Sequence, residues 1–230
     1  MQLRDISFST PQENIVFDEV LMFLAEKHEG GEFLRFWESA QVFIVLGRIG
    51  KAEADVNLVM TQKEHIPVLK RSSGGGTVVQ GPGCLNYTLV LSKQKYPMLN
   101  DLHQSYQWIS AKVIDALRQM GMDVYFRPTS DLATGPHEQK FSGNAQHRGR
   151  HYILHHGTIL YNFDLSLISR YLNMPTDIPE YRKHRPHSDF VTNIPIDPGS
   201  FKNYLAQSFG ASAPQPPSAE ELSLLKKSIN

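Results

Sequence analysis

A single cysteine, Cys84, stands in 230 residues. No disulfide can therefore form within the chain, and the count suits a reducing compartment. Net charge is also missing, because 23 lysines and arginines face 23 aspartates and glutamates. No polybasic block appears, which argues against nucleic acid as the main partner. No apolar run approaches the roughly 18 residues that a membrane helix needs. The opening Met1-Gln2-Leu3-Arg4-Asp5 has no apolar stretch and an early acid, so it does not read as a secretory signal. No internal repeat is visible. These absences leave a soluble cytoplasmic domain of the α/β or α+β class, long enough to support its own core.

The periodicity predicts mixed elements. Residues 12–28 carry apolar side chains at helical spacing, with Gly30-Gly31 as the stop. Residues 33–37 and 42–46 read as strands, 53–62 as a short helix, and 66–69 as a strand with Pro67 near its start. Two β-rich runs, 77–80 and 86–91, flank Gly81-Pro82-Gly83. A helix is expected over 101–120 and a strand over 124–127, followed by a loop. Residues 141–146 and 152–163 suggest a hairpin around Arg148-Gly149-Arg150. A helix follows over 164–172, then a long proline-rich loop over 174–200. A helix over 200–209, a Pro/Ser/Ala linker and a short amphipathic helix over 219–228 read as an appended tail. Strict βαβ alternation is lacking, so the expected fold is α+β, a mixed sheet with helices packed on one side.

Three segments carry chemistry. In Arg71-Ser72-Ser73-Gly74-Gly75-Gly76-Thr77, three glycines cost backbone entropy unless a ligand must approach the main chain. Arg71 could pair with a carboxylate or phosphate. The same segment also reads as a flexible hairpin tip. It is neither a P-loop, since no lysine follows the glycines, nor a Rossmann turn, since a strand follows them. The second segment is Lys140-Phe141-Ser142-Gly143-Asn144-Ala145. Strand alternation would place Lys140, Ser142 and Asn144 on one face, where the lysine could meet developing negative charge or simply guard an edge. The third is His155-His156-Gly157-Thr158, a candidate cleft strand or a packed core strand. Ten histidines invite a metal, yet His151, His155 and His156 have no Cys or acidic ligand at the usual spacings, and no metal site is expected. Cys84 has no histidine nearby, and Ser142 lacks the Gly-x-Ser-x-Gly elbow.

Taken in order, these segments resemble the lipoate-protein ligase A family of the biotin/lipoate ligase superfamily. The resemblance rests on Asn14 to Glu19, Val45-Leu46-Gly47-Arg48, Arg71 to Val78, Leu85-Asn86-Tyr87, Asp131-Leu132, Lys140 to Ala145 and His156 to Leu160, and it spans residues 12–195. It implies a catalytic domain like that of class II aminoacyl-tRNA synthetases and biotin ligases over 1–210, with 211–230 a C-terminal linker and helix. It further implies that lipoate or octanoate is activated by ATP, with Mg²⁺, to an acyl-adenylate and passed to a lysine of a lipoyl carrier domain. Lys140 matches the family's catalytic lysine. Arg48, Arg71, Ser73, Gly74, Gly75, Gly76, Thr77, Asn86, Asp131, Ser142, Gly143, Ala145, His156, Gly157 and Thr158 would line the substrate and adenylate pocket.

Two departures stand out. Gln80-Gly81 replaces the His-Asp pair usual after Gly-Gly-Gly-Thr-Val-Val, and residues 200–230 are too few for the accessory domain of many such ligases. Both weigh against autonomous ATP-dependent activation and so raise a second reading, an octanoyl- or lipoyl-transferase working through a cysteine thioester; a separate accessory subunit in place of the missing domain stays open as a partner. The transferases carry that cysteine near Pro128–Leu132 or Ser142–Gln146, where this chain has none. A third reading is a silent binder of lipoate or of a carrier domain. Retention of both Arg71 and Lys140 speaks against it, and the ligase reading is preferred.

Overall fold

The computed structural model describes every residue except 29, 30, 176, 177, 212 and 230. In chain order the elements are β1 (Gln2–Asp5), α1 (Pro11–His28), β2 (Phe33–Trp37), β3 (Phe43–Leu46), α2 (Ala52–Asp55), α3 (Leu58–Lys63), β4 (Val68–Lys70), β5 (Val78–Gln80) and β6 (Cys84–Ser92). They continue as α4 (Leu102–Gln119), β7 (Val124–Arg127), β8 (Asp131–Thr134), β9 (Gln139–Arg148), β10 (Tyr152–Leu160), α5 (Ser166–Tyr171), α6 (His187–Phe190), α7 (Pro198–Ser208) and α8 (Ala219–Ile229). A seven-stranded sheet in the order β1-β2-β6-β10-β9-β8-β7 lies beside a three-stranded sheet, β4-β3-β5. The β1–β2 and β3–β4 pairs are parallel and the other pairs antiparallel, so the fold is mixed α+β. The expected stop at Gly30 lies outside the described residues.

Helices cover the large sheet on both faces, not on one. Every residue of β2 is buried, as are the first eight of β6. Such continuous runs belong to strands covered twice, whereas one-sided strands alternate. On one face α4 and α7 bring Ile109, Val113, Phe201 and Leu205 against Leu34, Tyr87, Leu89 and Ile159. On the other, Phe17, Val20 and Leu24 of α1 meet Phe33, Val90 and Leu154. Each such side chain taken out of water contributes about 1.5–3 kcal/mol. Asp101 caps α4 by accepting from Gln104 N at 2.8 Å, and Asp197 caps α7 by accepting from Ser200 N at 2.7 Å.

Four boundaries differ from expectation. The helix over 53–62 is two helices, because Asn57 caps a new start by accepting from Met60 N at 3.2 Å. Residues 2–5 and 131–134, four each, are strands too short for a period to show. The segment over 174–200 carries a 3₁₀ turn at Glu180–Arg182 and the helix α6. The C-terminal segment does not trail. Gln215 N donates to Leu3 O at 2.9 Å, so the Pro/Ser/Ala stretch lies along the open edge of β1. Arg4 holds Glu221 at 2.8 Å with both side chains at most 4% exposed, and Leu225 is buried against α1.

Candidate functional site

A cleft of about 740 Å³ opens between the small sheet, the facing ends of β6, β9 and β10, and residues 179–191. Its floor is apolar, with Ile15, Trp37, Val45 and Leu154 in the wall. The Trp37 indole N–H is buried and has no partner among the described residues.

The glycine segment is a crossover, not a hairpin tip. β4 and β5 flank β3 on opposite sides, so residues 71–77 pass across the end of β3. Gly75 has φ +82°, and a Cβ on Gly47 would lie 2.0 Å from the Gly75 carbonyl oxygen, so this approach excludes a side chain there. Nothing lies within 4 Å of where a Cβ would stand on Gly74 or Gly76. The arginine faces inward. Arg71 donates to Ser73 Oγ at 3.0 Å, to Gly74 O at 2.7 Å and to Gly76 O at 2.8 Å. Burial lowers its guanidinium to about 10, which leaves it charged at neutral pH. With a further contact to Val45 O at 3.4 Å, four of its five N–H donors serve the loop and β3, so Arg71 supports the loop while it lines the cleft. Glu19 accepts from Ser72 N at 3.0 Å, His147 meets Ser72 Oγ at 3.0 Å, and Thr77 donates to Asp55 at 2.6 Å.

Ser73 Oγ lies 2.6 Å from His156 Nε2, and His156 Nδ1 lies 3.9 Å from Asp18. The order resembles a hydrolytic triad, but Ser73 is fully buried and outside the cleft wall, so its hydroxyl has no access to substrate. Burial lowers the His156 pKa against the opposing pull of Asp18 and keeps the ring neutral at neutral pH. Asp18 feels burial raising its pKa. The Arg35 charge, with help from His156 and Thr88, overcomes this and holds the carboxyl below its ordinary range. Arg35 donates to Asp18 at 2.6 Å, to Asn14 at 2.7 and 2.8 Å and to Ile6 O at 3.2 Å, with no exposure to solvent.

A closed polar ring fills the position of the His-Asp departure. Gln80 donates to Thr158 Oγ1 at 2.7 Å, Thr158 to Asn86 at 2.6 Å, and Asn86 to Gln80 at 3.1 Å. Gly157 is required beside it, because a Cβ there would lie 2.0 Å from Asn144 Oδ1.

Lys140 reaches this cleft through a β-bulge. Leu132 pairs with Ser142 and Ala133 with Lys140, so Phe141 is an extra residue that inverts the alternation. Lys140 therefore shares a face with Gly143 and Ala145, not with Ser142 and Asn144 as plain alternation implied. A Cβ on Gly143 would stand 3.0 Å from Lys140 Nζ. Asp131 holds that ammonium at 2.7 Å, and its other oxygen accepts from Tyr181 at 2.6 Å. Lys140 keeps 29% of its side-chain exposure.

Thirteen of the residues singled out from the sequence line the cleft, from Arg71 and Gly75 to Lys140 and Thr158; Arg48, Ser73 and Gly74 do not. Arg48 is exposed on the turn after β3. Tyr181 and Arg182 went unmarked, and Asp18 stood only within the Asn14–Glu19 segment without its partner Arg35, because nothing local in the sequence ties these residues to the glycine or lysine segments.

Residues 10–210 match the lipoyl protein ligase A/B catalytic domain. The chain belongs to that family. Among curated relatives, a probable lipoate-protein ligase A of Mycoplasma pneumoniae is 31% identical over 164 residues, covering 71% of this chain and 46% of the relative. The chain thus spans about half the length of the Mycoplasma relatives that it matches. The octanoyltransferase LipM of Oceanobacillus iheyensis is 25% identical over 216 residues, 85% of this chain and 78% of that protein. Two solved structures share the fold. One is a bi-partite lipoate protein ligase of Thermoplasma acidophilum, studied with its E2 lipoyl domain (20% identity, TM-score 0.78, 98% and 90% coverage). The other is a lipoate-protein ligase A bound with ATP (21% identity, TM-score 0.79, 98% and 92% coverage). The matched residues hold the whole small sheet and six of the seven strands of the large one. No helix among the described residues is long and apolar enough to cross a membrane.

Proposed function

We propose that this chain is a lipoate-protein ligase that activates lipoate or octanoate with ATP and transfers the acyl group to a lysine of a lipoyl carrier domain. The observation that carries this reading is one cleft that joins apolar side chains such as Ile15, Trp37, Val45 and Leu154 to the ammonium of Lys140, which Asp131 holds at 2.7 Å. In the first step a carboxylate oxygen attacks the α-phosphorus and pyrophosphate leaves. In the second, the carrier lysine, having lost a proton, attacks the acyl carbon and AMP leaves. Both steps place negative charge beside Lys140, whose ammonium would stabilise it. The loop is already fixed by Arg71, Glu19 and Asp55, so it would need no reorganisation on binding.

ATP and Mg²⁺ suit the cleft wall. No three His, Cys, Asp or Glu side chains converge among the described residues to hold a metal alone. Mg²⁺ would enter on the nucleotide phosphates and offset their charge, with Asp55 as the carboxylate nearest to hand in the cleft wall, since both oxygens of Asp131 are taken by Lys140 and Tyr181. The carrier domain is the proposed protein partner, and a separate accessory subunit a further one, as the bi-partite Thermoplasma ligase suggests.

The transferase is the second reading, favoured by the LipM relative of comparable length. It needs an accessible thiol. Cys84 is fully buried outside the cleft wall, and burial pushes its thiol far above the ordinary range.

The test is direct. With lipoate, Mg-ATP and a lipoyl domain, the protein should yield a domain heavier by one lipoyl group. Lys140→Met should slow transfer about 100- to 1,000-fold, the scale of one lost oxyanion contact, with an unchanged melting curve. Transfer from octanoyl carrier protein without ATP, and none from free lipoate with Mg-ATP, would replace the ligase by the transferase.

A further inference from the structure

The pairing of Lys140 with Asp131 leaves a question of rigidity. A partly exposed ion pair holds its geometry weakly, because its Coulomb gain is small and its side chains remain free. Lys140 retains 29% exposure, yet a reacting cation must be held in place. The structure supplies a second hold from residues 178–192. Tyr181 Oη donates to Asp131 Oδ2 at 2.6 Å, while Lys140 Nζ occupies Oδ1 at 2.7 Å, so both carboxylate oxygens are engaged. Asp131 itself stands opposite Gly143 in the β8–β9 ladder, on the face that Lys140 reaches through the bulge.

The segment carrying Tyr181 is fastened around Lys140. Thr192 N donates to the Lys140 carbonyl at 2.9 Å. Arg185 donates to the Tyr181 carbonyl at 3.0 Å and to the carbonyls of His137 and Glu138 in the turn before β9. The Tyr181 ring packs on Phe190 with centroids 5.2 Å apart. Burial and the neighbouring Asp131 charge push the phenol above its ordinary range, so it remains a protonated donor.

We propose that Tyr181 is a positioning residue for Lys140, acting through the Asp131 carboxylate. Without the phenol, Asp131 would be free to turn and the ammonium would follow it. The role in turnover rests on Lys140 being the reacting cation of the proposed ligase; the relay itself does not.

Tyr181→Phe keeps the ring on Phe190 and removes only the oxygen. Acyl transfer from preformed lipoyl-adenylate should lose about ten-fold in kcat, the scale of one net hydrogen bond, with KM for the carrier domain unchanged. Labelling of Lys140 by an amine-directed reagent, followed by peptide mass spectrometry, should change in rate by roughly three-fold or more. In an Asp131→Asn background the same substitution should add nothing further to either readout, since the path it acts through is already cut. Wild-type rates in Tyr181→Phe, or effects that add fully to Asp131→Asn, would overturn the proposal. Should the wild-type protein transfer no acyl group, the ligase reading fails, while the labelling rates still decide the relay.

Discussion

The two sides of the cleft are built differently. On one side the glycine segment is bound from within by Arg71 and from outside by Glu19, His147, His156 and Asp55. On the other, Lys140 depends on one carboxylate and keeps part of its surface in water. The first wall defines a shape, and any looseness there would blur it. In the proposed reaction the second would carry a charge beside a reacting group through two steps, and a fully enclosed ammonium would be costly to keep charged. Rigidity is thus concentrated where it shapes the slot, and the charged arm is held by a short relay.

The largest expected effect comes from removing the foundation of the rigid side. Arg35 is wholly buried and Asp18 is its only acidic partner in a described ion pair. Asp18→Asn should cost about 3–5 kcal/mol, because a charge is left inside without its counterpart. For a chain of this size that is roughly 10 °C or more in melting temperature. The Lys140 arm shares no contact with the pair, so amine labelling of Lys140 at a temperature where the variant is folded should be nearly normal. A loss under about 1 kcal/mol would mean that the rigid wall stands without this pair.

The difference between the walls also explains what the sequence revealed. Glycine, arginine and lysine segments were visible because their composition is unusual within a few residues. The strand runs of β2, β6 and β10 were visible from apolar content, although one-sided packing was expected until both faces of β2 proved buried. The direction of Arg71 was not visible, since a guanidinium that supports a loop and one that grips a ligand have the same sequence. The bulge at Phe141 was hidden as well: it depends on a partner strand, β8, too short to show a period. Asp18–Arg35 and Asp131–Tyr181 join residues 17 and 50 positions apart, and only the fold brings them together. The tail read as a linker because proline and serine suit solvent, but Glu221 finds Arg4 across 217 positions.

Acid should loosen both walls from behind. His155 lies on the opposite face of β10, fully buried, with Gln146 at 3.1 Å and Tyr87 and Tyr106 against its ring. Burial depresses its pKa to about 3. Between that value and the ordinary 6.5, the unfolded chain takes up a proton that the native state refuses. Stability is therefore full above pH 6.5 and falls below it by about 1.4 kcal/mol per unit, or about 2 kcal/mol by pH 5. His156 shifts in the same direction from the loop side. Asp18 has a lowered pKa, so its contribution is lost only below its unfolded value of 3.8, outside this window. Denaturant titrations at pH 7 and pH 5 should show the loss, and His155→Gln should reduce it. An unchanged slope in that variant would assign the acid sensitivity elsewhere.

The smallest effect tests whether either wall hides a nucleophile. Cys84 packs with Ile44, Val79 and Phe163 beneath the small sheet, in contact with neither the loop's hydrogen bonds nor the Lys140 relay. Cys84→Ala removes one buried sulfur and should cost about 1 kcal/mol, at the low end for a small cavity. Transfer activity should stay within about two-fold of wild type, because a thiol held protonated by burial cannot form a thioester at useful rate. Intact-mass spectrometry during turnover should find no acyl adduct on this residue. An adduct, or loss of transfer with the melting curve preserved, would move the chemistry out of the Lys140 wall and make the buried strand β6 the reacting side of the cleft.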